Sequence, residues 1–149
     1  MATTVGREST PENLIENCLL LEHDAIAAYD TVISRLENPD YKSRIEDFRQ
    51  DHLGHLEALR EFAAKYDVTP PGEGDMKEML TTGKVAMADM VGGDDAILKA
   101  MSSNESDTVS AYQQAAENPV LPEEMRGMVE GALSDERRHK EWMEQAAAA

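Results

Sequence analysis

Apolar residues recur at intervals of three and four along four stretches of the chain, the period of a helix with one buried face. The first face reads Ile15, Cys18, Glu22, Ala25, Tyr29, Val32 and Leu36. The second reads Tyr41, Ile45, Phe48, His52, His55, Leu59, Phe62 and Tyr66. Leu98, Met101, Glu105, Thr108, Tyr112 and Ala115 make the third, and Met125, Val129, Ala132, Glu136, His139 and Met143 the fourth. A capping box of Ser9 and Glu12, with Pro11 in the first turn, starts the first helix near Ser9, and it runs to about Glu37. Asn38-Pro39 breaks it, and the second helix runs from about Asp40 to about Tyr66, where "TPPGEG" stops it. The third spans about Asp94 to Glu117, "NPVLP" turns the chain, and the fourth runs from about Pro122 into the alanine tail. Between the second and third lies a connection of about residues 68–93, in which "MKEMLTTGKVAMADM" predicts a short helix. Each main helix is about 36 to 42 Å long, a span that this connection can cross. The pattern predicts an all-α single domain over residues 1–149 with its bundle core at about 10–145. Two antiparallel helix hairpins joined by a long crossover fit it, as does an up-and-down bundle with a loop in the middle.

Each of the four faces is interrupted near its middle by ionisable groups. Glu22, the pair His52 and His55, Glu105, and the pair Glu136 and His139 stand where apolar residues belong. The interruptions repeat. "LEHDAIAAYDTV" aligns with "NESDTVSAYQQA", placing Glu22 over Glu105 and Tyr29 over Tyr112, both 83 residues apart. "DHLGHLE" aligns with "DERRHKE", placing Asp51 over Asp135, His52 over Glu136 and His55 over His139, each 84 apart. Residues facing each other across a hairpin are equidistant from its turn. The midpoint of Glu22 and His55 falls at Asn38-Pro39, and that of Glu105 and His139 at Val120 to Pro122, both on the turns already assigned. Six groups thus converge on one layer of the core if the hairpins pack face to face. Unpaired carboxylates buried there would cost several kcal/mol each unless they were protonated or found cations. Imidazole with carboxylate suits iron, manganese or zinc better than calcium or magnesium.

Composition agrees with a helical fold, since only 5% of residues are aromatic and no long segment alternates as a half-buried strand would. The net charge of −16, from 30 acids against 14 Lys and Arg, disfavours nucleic acid or an anionic membrane as partner and favours cations. A saline habitat or colloidal solubility accounts for most of that charge without any site. Cys18 stands alone and has no internal disulfide partner. With no apolar leader and no run of membrane-spanning length, the expected location is the cytoplasm.

"DERRH", Asp135 to His139, resembles the D-E-x-R-H motif of the ferritin-like di-iron carboxylate superfamily. The order Glu, E-x-x-H, Glu, E-x-x-H over four helices is similar to that superfamily's signature, and the resemblance covers about Leu14 to Met143. In helix three, the glycine pair, the aspartates and "ILKA…E…Y" resemble bacterial ferritin-like domain proteins of unassigned function. The resemblance implies a ferritin-like four-helix bundle. It implies terminal metal ligands at Glu22, Glu105 and His139 and a bridging carboxylate at Glu136. It also implies that Asp135 orients His139 and that Asp51 orients His55 from four residues before each. His52 departs from the pattern, standing where a second bridging Glu belongs, and Gly54 stands at the matching Arg position. A set of three Glu and three His is compatible with two metal ions, one ion or a degenerate site.

The implied cofactor is iron, as one or two ions, with manganese or zinc as alternatives. The implied partners are metal ions with O₂ or peroxide, in ferroxidase-type or peroxidase-type oxidoreductase chemistry. The alternative is a structural or stress-associated bundle that binds zinc or nothing and catalyses no reaction. A homodimer is one open oligomeric state. Tyr29, Tyr112 and Cys18 are candidate neighbours of the site, with core packing as the commoner use of such residues. His23, Asp24 and Asp107 lie off the apolar faces, and Arg137 and Lys140 point to solvent.

Overall fold

A computed structural model describes residues 3–71 and 90–149, and among them the chain forms four long helices and no strand. Helix α1 spans Pro11–Arg35. Thr10 caps it, its hydroxyl accepting the Asn13 N–H at 3.2 Å. The cap is therefore Thr10 and not a box of Ser9 with Glu12. Proline at the first helical position holds the preceding residue extended, and Thr10, at φ −133° and ψ 149°, has the backbone that a cap needs. Helix α2, Pro39–Lys65, starts the same way: the Asn38 side chain accepts the N–H of Asp40 at 2.9 Å and that of Tyr41 at 3.4 Å. Helix α3 spans Asp94–Glu117. A 3-10 turn at Glu123–Met125 precedes helix α4, Arg126–Ala148, so the regular α-helix begins one turn later than the sequence suggests. The short helix expected at residues 76–90 lies, apart from Met90, outside the described residues.

Helix α1 packs most extensively on α2, and α3 on α4, with smaller contacts from α1 to α3 and from α2 to α4. Asp30 accepts from Arg49 at 2.6 Å while Glu22 meets His52, so numbering rises along α1 as it falls along α2. In the same sense Ser102 donates to Glu144 at 3.3 Å and Arg126 to the Ala116 carbonyl at 3.1 Å. Asp94, the first residue of α3, accepts the N–H groups of Glu37 and Asn38 at 2.9 and 2.8 Å. The last turn of α2 lies instead beside the α3–α4 turn, where Lys65 and Tyr66 both donate to Glu124 at 2.8 Å. The end of α2 and the start of α3 therefore sit at opposite ends of the helices.

The buried apolar residues form two clusters. Leu14, Ile15, Leu19, Leu56, Leu59, Tyr112, Met125 and Val129 belong to one, and Val32, Ile45, Phe48, Leu98, Met101 and Met143 to the other. On every helix the ionisable residues of the apolar face fall between these two sets. Each buried large side chain contributes on the order of 1.5–3 kcal/mol. The clusters thus supply the stability against which a polar layer can be held. Toward the ends of α2, Tyr41, Phe62 and Tyr66 are only half-buried, and Leu56 and Ala63 take core positions instead. Among the described residues no helix is long and apolar enough to cross a membrane.

Ahead of α1, the chain lies against α3. Asn118 donates to the carbonyls of Gly6 and Glu8 at 2.8 and 2.9 Å, and Gln114 to that of Val5 at 2.7 Å. Gly6 has φ +100°, and a Cβ there would run into the α3 backbone at Ala111 and Ala115. Gly54, in mid-helix, faces open space. Gly54→Ala is expected to raise stability by about 0.5–1 kcal/mol, the ordinary difference between these residues inside a helix. Gly6→Ala should lower it, and urea denaturation of the two variants measures both signs.

Candidate metal centre

Glu22, His52, Glu105, Glu136 and His139 are each 0% exposed, and His55 is 7% exposed. These are the six residues that interrupt the apolar faces, and the structure brings all six into one layer. Their ligating atoms form two overlapping groups: Glu22, His52, His55 and Glu136, and His52, Glu105, Glu136 and His139. Within each group the atoms lie within 4.8 Å of one another, and either group could hold a metal ion. His52 and Glu136 belong to both.

The imidazoles of His55 and His139 are held from outside the layer by aspartates. His55 Nε2 lies 2.8 Å from Asp135, and His139 Nε2 lies 2.8 Å from Asp51. A carboxylate only accepts, so each Nε2 carries the proton and each Nδ1 faces inward. The pairing is crossed with respect to the sequence expectation, in which Asp135 would serve His139 and Asp51 would serve His55. Each histidine ring points inward between the helices, and its outer nitrogen meets the aspartate of the facing helix, Asp135 of α4 for His55 and Asp51 of α2 for His139. The facing helix offers the shorter reach. Arg138 donates to both aspartates, at 2.7 Å to Asp51 and 3.3 Å to Asp135, and its guanidinium lies 5.7 Å from the Phe48 ring centre. Phe48 in turn stacks on His139 at 4.2 Å. The sequence reading gave Arg138 no role, although its place three residues after Asp135 was a usable signal.

The tyrosines cross in the same way. Tyr29 of α1 donates to Glu105 of α3, and Tyr112 of α3 donates to Glu22 of α1. Both are fully buried, so they serve the core and the layer together. Cys18 packs in the apolar cluster that contains Leu14 and Tyr112. Burial, followed by the charges of Glu8 and Glu22, pushes its thiol well above the ordinary range. Off the layer, Asp107 and Arg137 are exposed, while His23, Asp24 and Lys140 are partly buried.

The three carboxylates are not equivalent. Glu22 Oε2 meets His52 Nδ1 at 2.7 Å, and its Oε1 meets His55 Nδ1 at 3.2 Å as well as the Tyr112 hydroxyl. Glu105 Oε1 accepts from Tyr29, whereas Glu105 Oε2, both oxygens of Glu136 and His52 Nε2 have no hydrogen-bond partner. Burial raises the Glu22 carboxyl, but the His52 charge and the hydrogen bonds from His52 and His55 outweigh it and hold it below the ordinary range. Burial lowers His52, yet the Glu22 charge and contacts with Glu105 carry it up to about 10. Glu136 is pushed well up by burial and then by the Glu105 charge. Burial raises the Glu105 carboxyl, but contacts with Glu136 and His52 outweigh it and hold it below the ordinary range; burial lowers His55, but its hydrogen bond to Glu22 outweighs that and raises it. His139 is lowered, chiefly by burial.

In metal-stripped protein, Glu22→Gln breaks a buried pair and should cost about 3–5 kcal/mol. Glu136→Gln, which breaks no hydrogen bond, should cost less than half of that, and denaturant unfolding compares the two. Cys18 should stay unmodified by a thiol reagent in the native protein and react once the chain is unfolded, as a colorimetric thiol assay would read.

No curated protein and no solved structure gives a significant match to the chain. A family described as a domain of unknown function (DUF2383) matches residues 12–118, which take in the whole of α2 and α3 and all but the first residue of α1. Glu22, His52, His55 and Glu105 fall inside that segment, and Glu136 and His139 beyond it. With well over half of its length matched, the chain belongs to the family known as DUF2383.

Proposed function

We propose that this chain is a ferritin-like transition-metal protein that holds iron in its central layer and handles Fe(II) together with O₂ or peroxide. The observation that carries this reading is the orphaned set inside the bundle. Glu136 Oε1 and Oε2, Glu105 Oε2 and His52 Nε2 are fully buried and lack hydrogen-bond partners. Groups of this kind are costly to leave unmade, and a cation among them would meet all four atoms. Mixed imidazole and carboxylate donors fit iron, with manganese or zinc as the other candidates. The placement of the end of α2 and the start of α3 at opposite ends of the helices supports a crossover connection of the ferritin-like kind.

Iron held there would supply redox chemistry toward O₂ or peroxide, the reaction class that the resemblance implies. The chain's own part is positional. Asp51 and Asp135 keep the Nε2 protons of His139 and His55 in place, so that Nδ1 of each ring faces the layer. Tyr29 and Tyr112 hold one oxygen each of Glu105 and Glu22. The two apolar clusters close the layer on either side and keep bulk water away from it. The acidic surface raises the local concentration of cations.

A second reading, a bundle with a structural zinc ion or none, is favoured by the saturation of Glu22, whose oxygens already have partners. Anaerobic Fe(II) titration with metal analysis decides between them. Native protein should retain iron and, on exposure to air, consume O₂ faster than the same amount of free Fe(II). The variant carrying Glu136→Ala with His139→Ala should lose both properties. Retention unchanged in that variant, or no retention by the native protein, refutes the proposal.

A further inference from the structure

The two halves of the layer differ in what a cation would have to displace. The half formed by Glu22, His52 and His55 shares Glu136 with the other half, and apart from Glu136 its inward atoms, those of Glu22, His52 Nδ1 and His55, are all engaged. Glu22 Oε2 meets His52 Nδ1 at 2.7 Å, Glu22 Oε1 meets His55 Nδ1 at 3.2 Å and accepts from Tyr112, and His55 Nε2 is held by Asp135. In the half formed by His52 Nε2, Glu105, Glu136 and His139, four atoms have no partner. Of the other two, Glu105 Oε1 accepts from Tyr29, and His139 Nδ1 lies 3.4 Å from that same Tyr29 hydroxyl, whose proton goes to Glu105, and 3.8 Å from Glu136 Oε1. The His52 ring lies between the halves, with Nε2 3.5 Å from Glu105 Oε1 and 3.4 Å from Glu136 Oε1.

We infer that the centre is asymmetric, taking its first and tightest transition-metal ion between His52 Nε2, Glu105, Glu136 and His139 Nδ1, with Glu22 holding the His52 ring instead of ligating that ion. This inference rests on the metal-binding reading above. Ligating histidines ordinarily give their other ring N–H to a carboxylate or carbonyl, and both rings do so here: His52 through Nδ1 to Glu22, and His139 through Nε2 to Asp51. Any proton on His52 Nε2 or shared by Glu105 and Glu136 passes to solvent as the ion binds. The Nδ1 proton of His52 remains on its bond to Glu22. A second ion, between Glu22 and His55, must break the hydrogen bonds that the first leaves intact, and it binds more weakly. His52 is the reason for the inequality. A carboxylate in its place would present oxygens to both halves and no proton to Glu22.

Zinc titration of the full chain, against a chromophoric chelator and with metal analysis after desalting, tests the order of filling. One Zn(II) per chain should be retained, at least tenfold more tightly than any second ion. His139→Ala should weaken that ion at least tenfold more than His55→Ala does, each variant first being checked for native helix content by circular dichroism. Histidine-¹⁵N NMR of the zinc-loaded native protein needs no variant, and it should show His52 with a proton on Nδ1 and the metal on Nε2. Two ions of equal affinity, equal losses in the two variants, or metal on His52 Nδ1 would overturn the asymmetric centre while leaving metal binding in place. Failure to bind any Zn(II) would overturn metal binding itself.

Discussion

Everything in this fold is arranged around a layer of ionisable groups that cuts its apolar core in two. Three glutamates and three histidines occupy the middle of four helices, where side chains with no charge would pack at far less cost. The layer is tolerated because it compensates itself. Glu22 raises His52 against burial, burial and the Glu105 charge push Glu136 toward its neutral form, and the tyrosines and aspartates take up the hydrogen-bonding atoms that face outward. What compensation leaves over is four buried polar atoms on one side of the layer. The two apolar clusters fix the helices at the spacing that gathers these atoms, so their arrangement is set by packing and not by a loop.

The internal repeat explains the architecture of the layer and also its imbalance. Tyr29 and Tyr112, Asp51 and Asp135, and His55 and His139 come as pairs, and each member acts on the opposite half of the molecule. A residue on one helix then cannot be displaced without loosening a partner on the other pair of helices, which couples the two pairs through the polar layer. The symmetry fails at His52 against Glu136 and at Gly54 against Arg138. Arg138 ties the two aspartates, and Gly54 supplies no counterpart. Where a second carboxylate would add buried negative charge, His52 brings an imidazole that donates to Glu22.

Much of this was legible in the sequence. The helical period, the turns at Asn38-Pro39 and after Asn118, and the six interrupting residues all follow from spacing along the chain. They are local or pairwise properties, and the midpoint of each hairpin carries the relative height of its residues. The start of α1 was misplaced by one position, because the effect of proline on the residue before it outranks a capping box beginning at Ser9. The orientation of the aspartates was also misassigned. An i, i+4 relation on one helix is visible in a sequence, whereas the shorter reach from a neighbouring helix is not.

The sequence by itself determined which residues must share a buried layer, because a polar group at the centre of an apolar helix face has no other place to go. It determined the helical class and the repeat, and it located the departure at His52. Only the tertiary structure decided who holds whom. That Asp51 serves His139, that Tyr112 serves Glu22, and that one half of the layer is closed by hydrogen bonds while the other is open depend on distances between helices remote in sequence. Those distances are set by the packing of all four helices at once, and no periodicity within a single helix encodes them.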